Sequence, residues 1–69
     1  MSVEYLLVTY AHDRDVLVDG ERVGVTNHTI LIQPNEYIIT LSGDGYVPPG
    51  QTVVVAGTSI MRPKVVAFS

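Results

Sequence analysis

Val16-Leu17-Val18-Asp19-Gly20-Glu21-Arg22-Val23-Gly24-Val25-Thr26 is the stretch that decides the fold class. Asp19-Gly20 stands between two runs of β-branched residues. A type I′ turn needs positive φ at both central positions, and Asp-Gly supplies it at little cost, so the stretch predicts a tight β-hairpin. Strands are expected on either side, at residues 15–18 and 22–25. Turn signals recur outward from this hairpin. His12-Asp13-Arg14 and Asn27-His28 flank it, and Pro34-Asn35 follows, where Asn35 is expected to take up the left-handed region. Further strands are expected at residues 3–11, 29–33, 36–42, 51–56 and 60–68. The 36–42 run is apolar on both phases, which suggests a strand in the middle of a sheet or covered on both faces. Gly43-Asp44-Gly45 breaks that run, and Val47-Pro48-Pro49-Gly50 is an extended loop that cannot be helical. Pro63 lacks an N–H donor, so the last strand is expected at a sheet edge or with a bulge.

Sixty-nine residues form one domain, and a third of them are Val, Ile or Thr. That bias suits pleated strands and disfavours helices. The chain is 46% hydrophobic and 16% charged, within the range of folded globular proteins. Its small size leaves a thin core. With no cysteine there is no disulfide framework and no thiol nucleophile. No apolar run reaches the roughly 20 residues needed to span a bilayer. Met1-Ser2-Val3-Glu4 lacks the basic start and long apolar stretch of a signal peptide, which points by default to the cytoplasm. The net charge of −3 opposes nucleic-acid binding, which relies on neutralising phosphates. The fold class expected is all-β: a small antiparallel, Ig-like sandwich of about seven strands filling residues 1–69.

The same central stretch resembles the PEGA domain, a small β-sandwich module. The resemblance runs from about Asp15 to Val55. It rests on the valine, Asp19-Gly20, valine-Gly24 and Thr26 pattern, then Ile30 and Ile32, then Tyr37, Ile39 and Leu41, then Gly45-Tyr46. Ala11-His12-Asp13-Arg14 stand where the family has Pro-Glu-Gly-Ala. Asn27 stands where Pro is usual, and Asn35 where Gly is usual. The resemblance implies a binding or structural module, often attached to larger surface or envelope proteins, with no known catalytic residues. Asp19, Gly20, Gly24, Asn35, Gly45 and Tyr46 are expected at structural turns, with Tyr46 a packing residue whose hydroxyl caps a loop.

Few residues suggest chemistry. His12 and His28 lack metal-ligand spacing, and Asp13, Asp15, Asp19 and Glu21 do not form an EF-hand series because Leu17 interrupts it. Ser42 and Ser59 have no identifiable base. Gly43-Asp44-Gly45 opens no helix and so is no phosphate loop. No metal, cofactor or catalytic residue is expected, and the chain is read as a non-enzyme. Arg62 and Lys64, the only charges after Asp44, are expected to guard an exposed edge strand.

The strand phases carry more information. The resemblance places Tyr5, Leu7, Val16, Val18, Val23, Ile30, Ile32, Tyr37, Ile39, Leu41, Val53 and Val55 inside. The opposite phase is only partly polar: Leu6, Val8, Tyr10, Leu17, Val25, Leu31, Ile38 and Val54 alternate with charged and hydroxyl residues. One sandwich cannot shelter both phases. An exposed interaction face built from Leu6, Val8, Tyr10, Ile38 and Val54 is therefore expected. It predicts a protein-interaction or structural module, a homo-oligomer or partner of a larger host protein. The alternative is a small-ligand or carbohydrate-binding domain that uses Tyr5, Tyr10, Tyr37 and Tyr46. An oligonucleotide-binding barrel is disfavoured by the acidic balance.

Overall fold

The computed structural model describes residues 3–69. Met1 and Ser2, half of the stretch read for a leader, lie outside the described residues. Seven strands form: β1 (Glu4–Thr9), β2 (Asp15–Val18), β3 (Glu21–Val25), β4 (Thr29–Ile32), β5 (Asn35–Leu41), β6 (Gln51–Val55) and β7 (Lys64–Ala67). They make two sheets, one ordered β4-β1-β7 and one ordered β3-β2-β5-β6. The all-β sandwich expected from the sequence is observed, with β5 interior and the Pro63-led β7 at an edge. One pairing departs from an antiparallel plan. β1 and β7 run parallel, with Leu7 beside Val65 and Val8 beside Val66.

The deciding hairpin forms as its turn chemistry requires. Asp19 and Gly20 have φ of 51° and 85°. The Asp19 carboxylate also accepts a hydrogen bond from the Ile38 N–H at 2.9 Å, which ties the hairpin to β5. Register slips once between β2 and β3: Val16 faces Gly24 but Leu17 faces Arg22. Val23 is the extra residue of this bulge. The bulge turns Val23 partly into solvent, which corrects its expected place inside.

Two turn assignments are corrected, and that of Tyr46 holds for its packing but not for its hydroxyl. Gly24 lies in β3, and its glycine serves a close approach: a Cβ there would stand 2.7 Å from Ile30 Cγ1. Asn35 begins β5 in extended backbone. The positive φ falls on Asn27 instead, at 67°, where the side-chain amide exchanges hydrogen bonds with the main chain of Tyr10 at 3.2 and 2.9 Å. Tyr46 packs edge-on against Phe68, with ring centroids 5.4 Å apart. The hydroxyl that caps a loop belongs to Tyr37, which donates to the Gln33 carbonyl at 2.7 Å.

Between the sheets lie Leu6, Val8, Val16, Val18, Ile30, Ile39, Leu41, Val55, Val66 and Phe68. Thr26 is the one buried polar side chain among the described residues. Its hydroxyl donates to the His12 carbonyl at 2.8 Å and accepts from the Arg14 N–H at 2.9 Å. The turn that replaces Pro-Glu-Gly-Ala is thus held by a side chain twelve residues further along the chain.

Candidate functional site

The expected interaction face does not assemble. Leu6 and Val8 are fully buried in the core, and Tyr10 packs against it. Ile38 and Val54 are 53% and 59% exposed, but on the outside of the four-stranded sheet. The fault lies in the phase of β1. Leu6 and Val8 alternate with Tyr5 and Leu7, and the sequence on both phases is apolar. Glu4 shares the phase of Leu6 and would mark it as wet. Its carboxylate is instead spent at the end of the sandwich, where it accepts from the Thr58 hydroxyl at 2.6 Å and the Thr58 N–H at 2.8 Å. These bonds favour the charged form and hold the Glu4 carboxyl below its usual range.

With β1 turned over, Tyr5 and Leu7 face outward, which corrects their expected place inside. Cross-strand pairing sets Tyr5 opposite Leu31 and Leu7 opposite Thr29 on one side, and Leu7 beside Val65 and Thr9 beside Ala67 on the other. Leu31 is 64% exposed and Val65 55%. No charged side chain stands at any of these positions. An uncharged, largely apolar face therefore covers the outside of the three-stranded sheet. Leu31 is legible in the sequence as an outward residue. Val65 has no such signal, because Val66 beside it is equally apolar.

The outer face of the four-stranded sheet is more polar. Arg22 Nε donates to Asp15 Oδ1 at 3.0 Å across it. Glu36, Thr40 and Thr52 share the phase of Ile38 and Val54, judged from the β5–β6 register.

A shallow cleft of about 350 Å³ opens at the end of this sheet, lined by Asp13, Arg14, Asp15, Val25, Ser42 and Gly43. Its polar groups serve the fold. Arg14 Nη1 donates to the carbonyls of Ser42 at 3.1 Å and Asp44 at 2.6 Å, and the guanidinium lies 5.2 Å from the Tyr10 ring centroid. Ser42 Oγ accepts from the Asp15 N–H at 3.2 Å. His12 stacks edge-on to Tyr10, and His28 is exposed. Among the described residues, no three His, Asp or Glu side chains come together to hold a metal ion. Among the same residues no two tyrosine rings pair; the aromatic contacts are Tyr10 with His12 and Tyr46 with Phe68. Among the described residues no helix is long and apolar enough to cross a membrane.

The family model for the PEGA domain matches residues 3–62, nearly the whole chain. This chain belongs to the PEGA domain family. The match extends the resemblance read from residues 15–55 into β1. No curated protein and no solved structure matches this PEGA domain at a significant level. Membership accounts for a small β module. What this PEGA domain presents to a partner depends on its own outward side chains.

Proposed function

We propose that this PEGA domain is a non-enzymatic protein-interaction or structural module that associates with a second copy of itself through the outer face of the three-stranded sheet. The observation that carries this reading is the uncharged row formed by Leu31, Tyr5, Leu7 and Val65, with both ends of the row more than half exposed. Sheets pack face to face by burying such rows. Burial contributes about 25 cal/mol per Å² of apolar area, less the costs of association. A second copy suits the face on electrostatic grounds. Each chain carries −3, and the two meet here without opposing like charges. A domain with so thin a core also gains more than most from added burial. The non-enzymatic reading is supported by the cleft, where Arg14 and Ser42 are already bonded within the fold.

Sedimentation across the micromolar range tests this. The wild-type mass is expected to rise above the monomer with concentration. Leu31→Lys/Val65→Lys is expected to remain monomeric at the same concentrations with its circular dichroism unchanged. A wild-type chain that stays monomeric throughout, with a Tm independent of concentration, overturns the reading.

A further inference from the structure

Asp-Gly occurs twice in the chain, at Asp19-Gly20 and at Asp44-Gly45. This dipeptide is open to a reaction of its own. The glycine nitrogen can attack the aspartate side chain, and glycine has no Cβ to obstruct the approach. The fold treats the two copies differently. In the hairpin, Asp19 is bonded twice to Ile38: its N–H donates to the Ile38 carbonyl at 2.9 Å, and its carboxylate accepts from the Ile38 N–H at 2.9 Å. The strands on either side are paired at Val18 and Glu21. Turning the Asp19 side chain toward Gly20 therefore breaks a bond. Asp44 has no such restraint. Asp44 and Gly45 are exposed and lie outside any strand, and a Cβ on Gly45 would meet nothing within 4 Å. Among the described residues, neither the Asp44 carboxylate nor the Gly45 N–H makes a hydrogen bond. The carbonyl between them is bonded instead: Asp44 O accepts from Arg14 Nη1 at 2.6 Å. A cation on that oxygen draws electron density out of the amide, which makes the Gly45 N–H easier to deprotonate.

We infer that Asp44-Gly45 is a self-modification site, where the main chain converts to a β-linked isoaspartyl form. The Gly45 nitrogen bonds to Asp44 Cγ. One carboxylate oxygen leaves as water, taking the amide hydrogen and a proton from solvent, and a cyclic imide remains. Water then adds at the former main-chain carbonyl and breaks its bond to nitrogen. The reaction needs only water and a proton, and the chain regains the mass that it lost. In the product the Asp44 main-chain carbonyl has become a free carboxylate, and the side-chain carbons carry the chain onward to Gly45. Arg14 keeps its hold on that oxygen, now through a charge-assisted bond, which favours the β-linked product over return to aspartate. The change adds a methylene to the loop and sets a carboxylate on Arg14 beside the cleft that Arg14, Ser42 and Gly43 help to line.

Incubating the folded protein in water enriched in heavy oxygen tests this, because each passage through the imide leaves one solvent oxygen in the product. After digestion, the peptide containing Asp44 is expected to take up label several-fold faster than the peptide containing Asp19. Its labelled fraction is expected to resist a protease that cleaves before aspartate. In urea, where the fold no longer separates the two sites, the rates are expected to converge. Equal uptake at both sites in the folded chain, or a several-fold lead for Asp44 that persists in urea, overturns the inference. Asp44→Glu keeps the charge but would have to close a larger ring, so it is expected to lose the label, and uptake that survives it also overturns the inference. Arg14→Gln removes the cation from Asp44 O. Uptake at position 44 is expected to fall several-fold and the protease-resistant share to shrink, with slow uptake at Asp19 showing that the hairpin is intact. A rate and a product share equal to wild type overturn the part given to Arg14.

Discussion

Gly24 of β3 and Ile30 of β4 pack so closely between the two sheets that a Cβ on Gly24 would lie 2.7 Å from Ile30 Cγ1 and 2.9 Å from its Cδ1. Both residues sit in strands, so the contact is set by packing and not by turn geometry. Gly24→Ala is expected to cost about 1–3 kcal/mol, the usual penalty for overfilling a core. The midpoint of urea unfolding would fall with little change in slope. An unchanged midpoint would mean that Ile30 moves aside freely.

The phase of β1 makes opposite forecasts for two leucines. Leu6→Ala empties a fully buried site and is expected to cost about 2–5 kcal/mol. Leu31→Ala, on the paired strand, removes a side chain that is mostly in water, and the stability of the monomer should shift by less than about 0.5 kcal/mol. Chemical denaturation at low concentration, where association is absent, compares them. Equal losses would contradict the observed strand orientation.

Thr26 supplies the turn at residues 11–14 with both a donor and an acceptor. Thr26→Val keeps the shape but strands the His12 carbonyl and the Arg14 N–H. A loss of about 1–3 kcal/mol is expected, with Thr26→Ser losing less. Hydrogen exchange at Arg14 should accelerate in the valine variant. Protection that survives the substitution would show that the hydroxyl does not hold the turn.

The Glu4 carboxyl gives a pH dependence whose sign is defined. Its pKa in the folded chain lies below its ordinary value of 4.5, because the Thr58 hydroxyl and N–H bond the charged form. Between these two values the unfolded chain binds more protons than the folded one. The stabilisation is therefore fully present above about pH 4.5 and is lost as pH falls through the folded value. Glu4→Gln should flatten that acid limb relative to wild type in thermal melts recorded from pH 7 downward. Parallel limbs in the two proteins would remove Glu4 from the account.

Local chemistry alone is enough to place the Asp19-Gly20 hairpin, the seven strands, the interior position of β5 and the edge position of β7. The inward phase of Val16, Val18, Ile39, Leu41 and Val55 follows from the family resemblance, and all five are buried. The bulge at Val23 is not legible, because a slipped register depends on what the partner strand offers. Asn27 is recognisable as a turn residue, but its left-handed backbone depends on the amide clasp to Tyr10, which is seventeen residues away in the chain.

The sequence by itself determined a small β-sandwich with more apolar strand surface than one core can hold, because turn residues and β-branched runs act over a few neighbours. Only the tertiary structure decided which side of β1 is dry. Tyr5 and Leu7 give no more sign of facing water than Leu6 and Val8 do, and the one local signal, Glu4 on the phase of Leu6, points the wrong way. The choice is made where Glu4 meets Thr58, fifty-four residues further on, and where β4 and β7 close on either side of β1.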